Sequence, residues 1–137
     1  MPTLTLKVAP LRNPTPHQSL AKALTLLTAQ HLGKRPEVTA VIIEEVPLGQ
    51  WHIGGQALHA ATALLEISIT TGTNTPEQKQ AFIAAAFAEL QQQLGGGQPL
   101  HEASYVIVRE VPASDWGYAG ITQAARKQLR EPTPTAA

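Results

Sequence analysis

The stretch Val41-Ile-Ile-Glu-Glu-Val-Pro-Leu-Gly-Gln-Trp-His-Ile-Gly-Gly55 decides the fold, because it occurs twice. It returns 65 residues later as Val106-Ile-Val-Arg-Glu-Val-Pro-Ala-Ser-Asp-Trp-Gly-Tyr-Ala-Gly120, with 7 of 15 positions identical and the chain's only two tryptophans in register. Upstream, Thr15-Pro16-His17-Gln18 returns as Thr75-Pro76-Glu77-Gln78 at an offset of 60, and extra residues around Gly95-Gly96-Gly97 account for the difference. Two matches in the same order mark an internal duplication.

Each copy reads as strand, helix, strand. Leu4, Leu6 and Val8 alternate with Thr5 and Lys7, as in a half-buried strand. Thr15 is a candidate N-cap, with Pro16 in the first helical turn. Leu20, Leu24, Leu27 and His31 to Leu32 then recur at helical spacing until Gly33, and Val38 to Val46 is a second strand. In the second copy Leu65, Ile67 and Ile69 alternate, Thr75-Pro76 opens a helix with Phe82, Ala85, Ala86 and Leu90 on one face, and the triple glycine stops it. Tyr105 to Val111 closes the unit. The strands of a β-α-β unit run parallel, through a right-handed crossover. The predicted class is therefore α/β (α+β): two tandem units forming a four-stranded sheet with both helices on one face. One domain over residues 1–130, from repeats at about 2–55 and 63–120, is expected to precede a disordered tail at 131–137. Val41-Ile42-Ile43 is apolar on both sides, so the second sheet face is expected to be apolar and covered by oligomerisation.

Composition narrows the function. Lysine plus arginine balance aspartate plus glutamate at 10 each, and no basic run stands out, so nucleic acid and anionic membranes lose their electrostatic motive. No stretch has the apolar length of a membrane span. Without cysteine there is no disulfide, thiol nucleophile or thiolate metal site, and a soluble, cytoplasmic protein is expected. The five histidines form no helical pair at metal-ligand spacing, so no metal site is expected. The triple glycine lacks a following Lys-Ser or Lys-Thr and is no phosphate loop.

Met1-Pro2, a short alternating strand, Arg12, a helix, Val-Ile-Ile-x-Glu and a later Gly-x-aromatic-x-Ile-Gly-Gly resemble 4-oxalocrotonate tautomerase. The whole chain resembles a fused, tandem member of the tautomerase superfamily, related to the cis-3-chloroacrylic acid dehalogenases and malonate semialdehyde decarboxylases. The resemblance implies that Pro2, freed by removal of Met1, is the catalytic amine. An α-amino group has a reference pKa near ~8, and burial or a nearby cation lowers it. A neutral amine takes a proton beside a carbonyl and returns it one carbon along. No cofactor is called for.

The resemblance also nominates a substrate-binding set. Arg12 matches the family's carboxylate-binding arginine, although in a fused chain Pro2 is served mainly by the second copy, where the counterpart is Gly72-Thr73-Asn74. Thr73 and Asn74 thus offer only neutral hydrogen bonds. The family's second arginine is replaced by Ala40 and Tyr105; Tyr105 either donates a hydrogen bond or packs. Trp51 and Trp116 match the pocket aromatic, with Trp116 assigned to Pro2 and Trp51 equally suited to a subunit contact. Glu45 and Glu110 read as structural. Tyr118 stands where the dehalogenases have a glutamate, and Val38, beside Glu37, where the decarboxylases have an aspartate. The implied reaction is proton transfer on a small enol or keto acid in a homotrimer, with hydration, dehalogenation, decarboxylation or a catalytically silent role as alternatives. The apparent shortage of cations predicts monoacids or aromatic enols over dicarboxylates.

Overall fold

The computed structural model describes residues 2–10 and 14–130. In chain order the elements are β1 (Thr3–Ala9), α1 (His17–Leu32), β2 (Ala40–Glu45), β3 (His52–Ile53), β4 (Gln56–Ala57), β5 (Thr62–Thr70), α2 (Pro76–Leu94), β6 (Tyr105–Val111), β7 (Gly117–Tyr118), β8 (Ile121–Thr122) and α3 (Gln123–Arg130). The main sheet runs β2-β1-β5-β6, and the pairs β3-β4 and β7-β8 are small hairpins. Each repeat contributes a parallel pair, β1 with β2 and β5 with β6, and the repeats meet through antiparallel β1 and β5. This is the mixed α+β sheet that the duplication predicts.

Period-two alternation sends Leu4, Leu6 and Val8 from β1, and Leu65, Ile67 and Ile69 from β5, to the helix side. There they meet Leu20 and Leu24 of α1 and Phe82, Ala86 and Leu90 of α2. The leucine, isoleucine, valine and phenylalanine side chains among these each contribute about 1.5–3 kcal/mol by leaving water. Thr28 joins this core unforeseen, because its hydroxyl is satisfied by the Leu24 carbonyl at 2.7 Å.

The helix ends separate the two copies. Gly33 closes α1 in the left-handed region, at φ 68°. Thr75 caps α2 through a reciprocal box with Gln78, at 3.1 Å and 2.9 Å. In the first copy Pro16, not Thr15, occupies the cap position, and no side chain caps the helix. The second strand of that copy is also shorter than the pattern suggested, because Pro36–Val38 forms a 3-10 turn before Ala40.

The outer sheet face is mixed rather than apolar. The alternation puts Thr5, Lys7, Ile42, Glu44 and Glu66 there, with an Arg109–Glu66 ion pair at 3.2 Å. Ile42 and Tyr105 remain 57% and 63% exposed. A third helix, α3, follows the second hairpin. Its charged, alanine-rich sequence carries too few large apolar residues to stand out in a pattern reading. The expected tail at 131–137 and Arg12 lie outside the described residues.

Candidate active site

Pro2 is buried just before β1, and its carbonyl accepts the Ala40 N–H at 3.2 Å. The next residue, Thr3, pairs with Ala40 on one side and Ser68 on the other. β5 runs only two residues past Ser68, to Thr70, before turning through Gly72, Thr73 and Asn74. The antiparallel junction of the repeats thus brings the N-terminus of the first copy to the turn of the second.

That turn is tied down from three sides. The Thr73 hydroxyl donates to the Thr70 carbonyl at 2.7 Å, and the Asn74 amide donates to the Leu32 carbonyl at 3.0 Å. The Gly72 N–H donates to Glu110 at 2.9 Å, and Glu110 also pairs with Lys79. The resulting hydrogen bonds hold the Glu110 carboxyl below its ordinary value, with Lys79 the larger cause and Gly72 the next. A lowered carboxylate contributes stability that is present above its unfolded value, about 4.3, and lost as pH falls through the folded one. Glu110→Gln should therefore lower Tm at pH 7, and the deficit should vanish as acid protonates the wild-type carboxyl. Thermal melts of both proteins between pH 7 and pH 3 check this; a deficit independent of pH would mean that Glu110 acts by packing.

Lys34 is the residue that sequence reasoning missed. It follows the Gly33 cap, and its ammonium donates to the Thr73 hydroxyl at 2.8 Å. Burial lowers its pKa, and Glu110 partly opposes that shift. The turn that lacked a cation in its own sequence receives one from the first copy. The premise behind the expected discrimination against dicarboxylates is therefore corrected. A signal was present, since a lysine placed between a helix-ending glycine and the strand beginning at Ala40 must lie at the Pro2 end of the sheet.

The remaining candidates divide between the two ends. The hairpin bearing Trp116 leaves β6 after Val111, which pairs with Thr70, so it belongs to the Pro2 end. Trp51 and Tyr105 instead line a cavity of about 480 Å³ with Lys7 and Leu64. Tyr105 pairs with Leu64, and Leu64 with Lys7, which places that cavity toward the far end of β1 from Pro2. Within one chain Trp51 and Tyr105 do not meet Pro2. A larger cavity of about 850 Å³ also lies beyond β1, between Pro10, Pro16, Ala61 and His101. His101 accepts the Ala103 N–H at Nδ1, 3.0 Å away, which leaves the proton on Nε2.

Comparison with known proteins agrees with the fold. Residues 2–61, the first repeat, match the family model described as tautomerase enzyme. A symmetric trimer of wild-type fused 4-OT, Q0, superposes with a TM-score of 0.76 at 25% identity, covering 90% of this chain and 98% of that one. A native fused 4-OT gives 0.75 at 25% identity, covering 92% and 99%. Pt0534, in a structure described as inactivated by 2-oxo-3-pentynoate, gives 0.75 at 24% identity, covering 90% and 98%. No curated protein sequence matches significantly. The first repeat is thus similar to the tautomerase family, and the architecture of the chain is that of the fused 4-OT proteins, with two repeats in one polypeptide. Among the described residues, no helix is long and apolar enough to cross a membrane.

Proposed function

We propose that this chain is a cofactor-independent tautomerase of the cytoplasm, in which Pro2, exposed as a secondary amine by loss of Met1, shuttles a proton on a small enol or keto acid. The observation that carries the reading is the position of Pro2: buried, at the start of a central strand, beside a turn that holds a lysine. Burial and the Lys34 charge both disfavour the ammonium form, so the amine is available as a base near neutral pH. The amine removes a proton from the enol hydroxyl and, as the ammonium, returns it to the carbon that becomes saturated. Thr73 and Asn74 shape the turn around the amine, and Trp116 supplies an apolar wall. Inactivation of Pt0534 by a 2-oxo acid bearing an alkyne suits a nucleophilic amine in a related fold. The experiment is an enol-ketonisation assay, with phenylpyruvate enol as probe, on protein whose intact mass shows the N-terminal residue.

The active form is proposed to be a trimer of fused chains, as in the Q0 structure. In that assembly Trp51 and Tyr105, remote from Pro2 in their own chain, become available to a neighbour. Arg12 is retained in the proposal as a carboxylate ligand, as the resemblance implies. Light scattering at micromolar concentration should give three times the chain mass of 14.6 kDa. A monomer would remove Trp51 and Tyr105 from the site while leaving Pro2 in it.

A further inference from the structure

Three buried N–H groups in the C-terminal arm have no acceptor among the described residues: Trp116 Nε1, Gln123 Nε2 and Arg126 Nε. Gln123 is 5% exposed, and its backbone N–H donates to the Trp116 carbonyl at 2.9 Å, so the two side chains start from one junction. Arg126 follows three residues later on α3, on the same helix face. Its guanidinium stacks 3.7 Å from the Tyr118 ring centre, and Nη2 donates to the Tyr118 carbonyl at 2.9 Å. Stacking and that bond hold the planar fork in place and leave Nε–H unused.

Buried polar groups in folded proteins nearly always find partners, so three orphans of one kind in one small module call for an explanation. All three are donors and one is a cation. What they lack is an anion with several lone pairs, and a carboxylate matches the arginine fork. α3 packs chiefly on its own hairpin, only Gln123 is buried along it, and Leu129 is 77% exposed. The arm also leaves β6 at the Pro2 end of the sheet.

We propose that Arg126, with the N–H groups of Trp116 and Gln123, binds the carboxylate of the substrate and so determines specificity at the Pro2 site. The assignment to substrate rests on the tautomerase reading above; the anion site itself does not. It replaces the arginines missing at Ala40 and Tyr105 with one from outside the repeated units.

The test observes binding without turnover. In the uniformly nitrogen-15-labelled full chain, two indole N–H signals are expected, one for each tryptophan, and Trp51→Phe assigns them. Butanoate should move the Trp116 indole signal saturably downfield, while butanamide should not. Arg126→Gln should weaken butanoate binding at least tenfold, and Arg126→Lys, which keeps the charge but not the fork, should fall between. An unchanged Trp51 signal reports that each variant is folded. Equal response to butanamide, unchanged affinity in Arg126→Gln, tighter binding of inorganic phosphate, or no movement of the Trp116 signal would each overturn the site. Steady-state assays of Arg126→Gln should show a raised KM for the enol acid with kcat largely kept; an unchanged KM would sever this site from the substrate. Pro2→Ala should bind butanoate normally. If it also kept full turnover, the amine mechanism would fail while the anion site stood.

Discussion

Replacing Pro2 with alanine should lower kcat/KM for an enol acid by roughly 10²–10³-fold, within the range of a general acid–base group, while the protein stays folded. The fold is insensitive because the contact Pro2 makes through its backbone, carbonyl to Ala40 N–H, survives the change. Chemistry is sensitive because an N-terminal alanine offers a primary amine of different geometry and basicity. Intact mass should show that Met1 is gone from the active wild-type protein. Full activity with Met1 still attached would end the mechanism, since the Pro2 nitrogen would then be an amide. The pH profile gives a second check. If the Lys34 charge on the neighbouring turn disfavours the ammonium, as proposed, Lys34→Ala should raise the amine pKa and move the acid limb of kcat/KM to higher pH. A shift to lower pH would mean that the lysine does not sense the amine.

An enol acid should be preferred over its methyl ester by roughly 10–100-fold in kcat/KM, because a charge-assisted hydrogen bond is worth about 1.5–3 kcal/mol. The reason is cationic charge at the Pro2 end: Lys34 on the Gly72–Asn74 turn and, by the inference above, Arg126 on α3. Esterification removes the negative charge and keeps the reacting enol, so the comparison isolates the carboxylate. Competition between acid and ester in one assay measures it. Equal specificity constants would mean that this end of the sheet recognises its substrate through apolar contact alone.

The repeat made most of the fold legible. Parallel pairing within a unit, the two helices and the Gly33 and Thr75 ends all follow from periodicity and capping chemistry, which act over a few residues. The candidates at Pro2 and at the turn came from local sequence, and the sheet brings them to one end. Lys34 was overlooked: its place after Gly33 puts it at the Pro2 end, but its partner Thr73 lies 39 positions away and no local rule names it. The outer face was misjudged from Val41-Ile42-Ile43 alone. β2 is an edge strand, and its neighbours contribute lysine, threonine and glutamate to that side. α3 was missed because it is stabilised by its hairpin rather than by an apolar stripe.

The head-to-head junction of β1 and β5 fixes a stoichiometry. The second repeat begins its first strand at Thr62, in mid-chain, where nitrogen can only be an amide. If Pro2 is the catalytic amine, a mechanism-based label that needs turnover at that amine should therefore saturate at one equivalent per polypeptide, although each polypeptide contains two similar units. Selection for proton transfer then bears on only one of the two ends. The opposite end, with its 850 Å³ cavity between Ala61 and His101, has no α-amine of its own, whatever side chains it lends to a neighbouring chain. Fusion thus leaves each polypeptide with one end that can carry a free α-amine and one that cannot, although both repeats contribute residues to each end.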